Sequence, residues 1–155
     1  HQLKKQLAAE RPLQPRDRPL TLGERKSLAR THRRNLLIAL CKDPHPEVVT
    51  ILLDNPHVTE ADVVRIAALR PAVPASLAVI ADHPRWSVRH MVKRALVWNP
   101  ATPLDVGIRI STTLRAAELR EIASSNTMPV ALRGHVAELL AVTRAAAAVD
   151  PDQPA

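Results

Sequence analysis

The clearest pattern of apolar and polar positions in this chain lies between His83 and Asn99. On a helix that turns about 100° per residue, five apolar side chains of this stretch share one stripe: Val88, Met91, Val92, Ala95 and Leu96. The opposite side is basic, and no acid occurs between positions 85 and 94; it holds Arg89, His90, Lys93 and Arg94. Pro84 suits a helix start and Pro100 cannot continue a helix, because proline lacks the N–H that the helix interior needs. The pattern predicts one amphipathic helix over residues 83–99.

Seven further helices are predicted from apolar residues spaced three and four apart and from residues that start and stop helices. Thr21, Thr59 and Thr102 are predicted to cap helix N-termini. The predicted helices cover residues 21–41, 43–53, 59–69, 74–82, 102–114, 116–124 and 128–148. Hydrophobic residues make up 46% of the chain, yet it has two tryptophans, no phenylalanine and no tyrosine. Because β-sandwiches draw on aromatic residues, this composition favours helices packed on helices, and we expect an all-α fold.

The distribution of charge divides the chain into parts. Residues 1–34 carry ten lysines and arginines against three acids, which accounts for the whole net charge of +7. Residues 1–20 also contain three prolines and no sustained periodicity, so we expect a basic, flexible arm there. We expect a helical domain at residues 21–148 and a disordered tail at residues 149–155. The chain begins with histidine rather than methionine, and we interpret it as a piece of a longer protein.

Several short patterns recur at spacings of 40 or 44 residues. Proline or methionine followed four residues later by an aliphatic residue occurs at Pro44–Val48, Pro84–Val88 and Met128–Leu132. An Asn-Pro pair followed by threonine occurs at residues 55–59 and again at residues 99–102. A period near 40 residues that is built from helix pairs is typical of an α-solenoid.

Two of these segments resemble known repeat families. Residues 43–48, DPHPEV, resemble the start of the second helix of a HEAT repeat, and Val88-Arg89 agrees with the Val-Arg of the same pattern. Residues 88–103 are also similar to the leucine-rich repeat variant, with its Val-Arg-x-x-Val and Asn-Pro-x-Thr-Pro elements. The resemblance spans residues 36–142 and implies a right-handed α-solenoid of about three HEAT-like helix-pair repeats. The second family can carry a cysteine-bound iron–sulfur cluster, but Cys41 is the one cysteine of this chain.

The basic side of the predicted helix is the main candidate for a binding surface, and a second basic cluster lies at positions 30–34. Trp86 falls beside the basic side, where its ring either binds a partner or packs into the joint with the preceding repeat. The basic residues have two readings as well, since they either bind phosphates or an acidic partner, or pair with acids of neighbouring repeats. Trp98 is predicted in the core. The predicted partner-binding residues are Trp86, Arg85, Arg89, Lys93, Arg94, Arg30, Arg33 and Arg34.

The sequence contains no motif for catalysis or metal binding. It lacks a Gly-x-Ser-x-Gly element and a phosphate loop, and its seven histidines lack the spacing of a metal site. We therefore predict no enzyme, no catalytic residue, no metal and no cofactor. No apolar run is long enough for a membrane span, and we predict a cytoplasmic location. The predicted function is a scaffold that binds another macromolecule, first of all a protein. The alternative is a nucleic-acid-binding module, such as one resembling the HEAT-like DNA glycosylases.

Overall fold

The computed structural model describes residues 18–149, and this part of the chain contains helices joined by short connectors and no strand. The predicted all-α class is confirmed. The predictions for the arm and the tail fall largely on residues 1–17 and 150–155, which lie outside the described residues. The helices are α1 Leu22–Ala29, α2 Arg34–Leu40, α3 Pro46–Asp54, α4 Glu60–Ala67, α5 Pro74–Asp82, α6 His90–Val97, α7 Leu104–Ser111, α8 Ala116–Ser124 and α9 Val130–Ala148.

The helices alternate between two layers. α1 packs against α3, α3 against α5, and α4 against α6, so each of these helices lies beside the second one along the chain. Ion pairs join the next members of each layer: Arg109 of α7 with Asp82 of α5, and His90 of α6 with Glu118 of α8. At the end of the chain α9 contacts both α7 and α8. The odd-numbered helices therefore form one layer and the even-numbered helices the other.

The predicted single helix at residues 21–41 is wrong, because the chain forms two helices there, α1 and α2. The side-chain amide of Asn55 donates to the carbonyls of Ala29 and Thr31, both at 2.8 Å. In a longer helix, these carbonyls would accept bonds from the following turn. A residue about 25 positions further along the chain thus ends α1, and a local pattern of apolar residues does not reveal it.

The predicted helix at residues 83–99 is shorter than expected, since α6 begins at His90. Residues 84–88 form a separate turn, in which the N–H of Ser87 donates to the carbonyl of His83 at 2.9 Å. Arg89 then adopts extended backbone angles, with φ −76° and ψ 127°. This break shifts the side chains that precede α6 away from their predicted directions. Val88, predicted in the buried stripe, is 66% exposed.

The recurring spacing of 40 or 44 residues contains three helices rather than the predicted pair. This follows from the starts of α3, α6 and α9 at Pro46, His90 and Val130. Contacts within a layer instead join residues that are 26 to 32 positions apart: Asn55 with Ala29, Arg34 with Asp62, and Asn99 with Ala67. One helix pair therefore corresponds to about 28 residues.

Two buried asparagines belong to the recurring Asn-Pro pairs, and they make the same set of bonds. The amide nitrogen of Asn99 donates to the carbonyls of Ala67 and Leu69, both at 2.9 Å. Its amide oxygen accepts from the N–H of Ala101 at 3.1 Å. Asn55 repeats this arrangement at the end of α1. Each Asn-Pro pair thus ties the end of the neighbouring helix in its layer to the connector that follows its own helix.

Candidate interaction surface

Trp86 belongs to the core, which corrects its prediction as a partner-binding residue. Its side chain is 2% exposed, and its indole N–H donates to the carbonyl of Leu53 at 2.9 Å. The guanidinium of Arg85 lies over the ring, 4.5 Å from its centroid. Because the turn at residues 84–88 precedes α6, the ring points into the core beside the end of α3 rather than outward. The reading in which Trp86 packs into the joint between repeats is the correct one.

Trp98, predicted in the core, lines an open groove with a volume of about 480 Å³. The groove runs across α4, α6 and α8, and its lining residues are Val64, Met91, Arg94, Ala95, Trp98 and Glu121. Met91, predicted in the buried stripe, is 53% exposed. Trp98 is partly buried and packs against the core, so its core prediction holds in part, while one side of the residue faces the groove. The backbone carbonyl of Trp98 accepts a hydrogen bond from the side chain of Arg70 at 2.6 Å.

Arg94, a predicted partner-binding residue, forms the charged wall of this groove. Its guanidinium lies 3.5 Å from Glu118 and 3.6 Å from Glu121. His90 approaches Glu118 as well, at 2.9 Å. The positive charge of Arg94 is therefore offset within the chain, while the aliphatic part of its side chain remains available to a ligand in the groove.

Arg34 serves the structure of the domain, which corrects its prediction as a binding residue. It donates to both carboxylate oxygens of Asp62, at 2.6 and 3.1 Å, and to the carbonyl of His57 at 2.9 Å. Three of its guanidinium donor positions are thus engaged. Asp62 has no exposed surface and also accepts from the N–H of Thr59, as part of a capping box at the start of α4. The acid that neutralises Arg34 comes from the next even-numbered helix.

The pKa of Asp62 is lowered by these bonds. Burial of its carboxyl raises the pKa, but hydrogen bonds from Arg34 and from Thr59 outweigh burial and bring the pKa to about 2. A carboxyl group whose pKa is lower in the folded state stabilises the fold above its unfolded pKa, near 4, and loses this contribution as the pH falls towards 2.

We therefore predict that Asp62→Asn lowers the free energy of unfolding by about 2 kcal/mol at neutral pH, because the shift corresponds to that energy. The difference between wild type and variant should shrink between about pH 4 and pH 2. Urea unfolding of both proteins at several pH values measures this difference. A difference that stays constant down to the acid limit would show that Asp62 is not stabilised as its contacts indicate.

Five of the predicted partner-binding residues form no ion pair with an acid of residues 18–149: Arg30, Arg33, Arg85, Arg89 and Lys93. Arg30 donates to the carbonyl of Lys26 at 3.2 Å, and Arg85 covers Trp86. The structure divides the eight predicted residues into three groups. Trp86 and Arg34 are structural, Arg94 borders the groove, and the remaining five are basic and solvent-accessible.

Two observations concern the metal-binding and nucleophilic side chains of the described residues. Residues 18–149 contain no group of three or more His, Cys, Asp or Glu side chains that is arranged to hold a metal ion. Burial raises the pKa of the Cys41 thiol to about 11, so this thiol is protonated at neutral pH and is a poor nucleophile. In the same part of the chain, no helix has the length and apolar character needed to cross a membrane.

Comparison with known proteins leaves the family open. No protein-family model, curated protein or solved structure matches this chain. The resemblance to HEAT repeats and to the leucine-rich repeat variant therefore stays a prediction that rests on the quoted motifs.

The groove was missed by sequence reasoning because its residues come from three helices of one layer. A signal for it was present in the recurrence of 28 residues, which separates Arg34 from Asp62 and Arg70 from Trp98. That spacing joins α2 to α4 and the connector after α4 to the connector after α6, but the residue types at these positions differ. No repeated motif marks it in the sequence.

Proposed function

We propose that this chain is a non-catalytic helical-repeat scaffold that binds a second protein in the groove of α4, α6 and α8. The observation that carries the proposal is the presence of Trp98, Met91 and Arg94 on one accessible surface. These three residue types are enriched at the centres of protein interfaces, and loss of tryptophan or arginine there has the largest effects on binding. Trp98 is also the one aromatic residue of the Phe, Trp and Tyr class that is not in the core.

The proposed architecture is an α-solenoid with helix pairs of about 28 residues. The alternation of two layers supports it, as do two contacts that span 28 residues, one between α2 and α4 and one between the connectors that follow α4 and α6. On this basis we propose four helix pairs, α1–α2 to α7–α8, with α9 at the end of the row, in place of the three pairs inferred from the sequence. The right-handed sense and the cytoplasmic location stay predictions.

The occupant that fits the groove best is the apolar face of a helix from the partner. Apolar atoms of Val64, Met91, Ala95 and Trp98 line the groove, and its charged residues Arg94 and Glu121 lie 3.6 Å apart. The lining thus carries no net charge that would attract a small ion. Helices in contact lie about 8–10 Å apart, so three of them span about 20 Å. An amphipathic helix of about 13 residues has this length.

The test compares the 155-residue chain with Trp98→Ala and with a control, Val130→Ala. Val130 is exposed and lies on α9, outside the groove. Proteins retained on the immobilised wild-type chain are identified, purified and titrated against each variant. We expect a purified partner to bind wild type and control equally and to bind Trp98→Ala at least about 30-fold more weakly, as for an interface hot spot.

Equal binding of every purified partner to Trp98→Ala and to wild type would refute the groove as the binding site. Met91→Ala provides a second variant if loss of the indole disturbs the fold, since the side chain of Met91 is more exposed than that of Trp98. Unfolding midpoints of all variants in urea show whether a change in binding reflects a change in stability.

A further inference from the structure

Positive charge is concentrated in the segments that lead from an odd-numbered helix to the next even-numbered one. We call these segments the odd–even connectors; they are residues 30–33, 55–59, 83–89 and 112–115. Together they contain five arginines, three histidines and no acid. The connectors that lead in the other direction contain Lys42, Arg70, His45 and one acid, Asp43. The excess of positive charge therefore belongs to one set of connectors.

Contacts between neighbours place the odd–even connectors along one edge of the two layers. The first two meet where Asn55 binds the carbonyl of Thr31, and the rings of His32 and His57 lie 6.1 Å apart. The third meets the end of α3 through Trp86, whose indole N–H donates to Leu53. The fourth connector lies between α7 and α8. Ion pairs join these helices to α5 and α6, which flank the third connector: Arg109 with Asp82, and His90 with Glu118.

The arginines of this edge are available to a ligand. Arg30, Arg33, Arg85, Arg89 and Arg115 are all exposed. Two acids flank the connectors at the ends of α3 and α5, but both already have cationic or basic partners. Asp54 lies 2.8 Å from His83, and Asp82 lies 3.2 Å from Arg109. Glu60 and Glu118 follow two of the connectors, and Glu118 lies 2.9 Å from His90 and 3.5 Å from Arg94. Within residues 18–149, no acid forms an ion pair with the side chain of an arginine of this edge.

We propose that the edge formed by the odd–even connectors binds the phosphate backbone of a nucleic acid. No residue of the odd–even connectors lines the groove, so the inference goes beyond the proposed function and does not rest on it. Neighbouring helices of a layer lie about 8–10 Å apart, so four connectors form a row about 30 Å long. Duplex DNA presents one negative charge for about every 1.7 Å of its axis, which gives such a row many phosphates to contact.

Two features favour a nucleic acid over an acidic protein as the ligand. All five cations of the edge are arginines, whose planar guanidinium donates two parallel bonds to a phosphate. A protein interface would also need a cluster of apolar side chains at its centre. Val88 is the one large hydrophobic side chain that is strongly exposed in these connectors. A row of arginines without an apolar centre suits binding that is governed by the backbone charge and is independent of sequence.

The test measures binding of the full chain to a fluorescently labelled DNA duplex of about 20 base pairs by anisotropy, at salt concentrations from about 50 to about 200 mM. The edge variant is Arg33→Ala with Arg89→Ala. The control is Arg120→Ala with Arg144→Ala, two exposed arginines on α8 and α9. Both pairs remove the same charge. We expect the salt dependence, as the slope of log K against log salt, to fall by about 2 in the edge variant only.

Three results would overturn the proposal. The first is the absence of salt-dependent binding to the duplex. The second is a slope that changes equally in both variants or changes in neither. Either outcome would mean that other lysines and arginines contact the phosphates, such as the four in residues 1–17. The third is equally tight binding of labelled polyglutamate with the same loss in the edge variant, which would identify an acidic protein as the ligand. None of these results bears on the groove, whose test uses Trp98.

Discussion

Replacement of Trp86 by alanine should lower the free energy of unfolding by about 3–5 kcal/mol, the cost of removing a fully buried aromatic side chain. The ring is buried in the core beside the end of α3, so its loss leaves a cavity there. It also leaves the carbonyl of Leu53 without its indole donor and Arg85 without the ring that it covers. These effects add to the cavity, since a buried acceptor without a partner is itself destabilising.

The matched control is Trp98→Ala, which removes the same side chain from the groove. We expect it to cost about 1 kcal/mol, because the residue is only partly buried and no side-chain bond is lost. Urea unfolding followed by far-ultraviolet circular dichroism measures both variants, and the remaining tryptophan reports its own surroundings by fluorescence. Similar losses for the two variants would mean that Trp86 and Trp98 do not differ in burial as described.

Replacement of Asn99 by alanine should lower the free energy of unfolding by about 2–3 kcal/mol. The change leaves the carbonyls of Ala67 and Leu69 without their donor, and unsatisfied buried polar groups cost about 1–3 kcal/mol. Asn55→Ala should have a similar effect, because Asn55 makes the same bonds at the end of α1.

Asn126→Ala is the control for these two variants, since Asn126 is exposed in the connector before α9. Its effect should stay within about 0.5 kcal/mol. Chemical denaturation of the three variants under identical conditions compares them. A loss for Asn99→Ala as small as that for Asn126→Ala would show that water takes over the bonds of the buried amide.

Local signals in the sequence predicted several helix starts correctly. Thr21 accepts from the N–H of Glu24, and Thr59 forms a capping box with Asp62. Both depend on residues three positions apart, which is the range over which side chains and the first helical turn interact. The prediction for Thr102 is wrong, because Pro103 takes the cap position and the Thr102 hydroxyl donates to the carbonyl of Leu96 at 2.6 Å. The Thr102 hydroxyl thus bonds to the preceding helix, α6, instead of capping the start of α7.

The wrong predictions share one physical cause, which is that distant side chains decide where helices end. Asn55 ends α1 by binding its last carbonyls, and the turn before α6 places the indole of Trp86 on α3. A helical wheel drawn through residues 83–99 assumes an unbroken helix and therefore assigns Trp86 and Val88 to the wrong sides. The sequence did not predict the basic edge for a different reason. Its arginines are spread over four short segments, and only the fold brings these segments to one side.

The substantial helix–helix contacts in the described part of the chain are local along the sequence and do not join the first helices to the last. Every substantial helix–helix contact within residues 18–149 joins helices one or two positions apart in the sequence. No contact of this kind closes the row on itself, so insertion or deletion of a whole helix pair would leave the remaining contacts intact. Gene duplication in units of about 28 residues could thus lengthen such a chain while each added unit extends both layers. The length of the row, and with it the reach of both surfaces, would then vary between descendants without a change of fold.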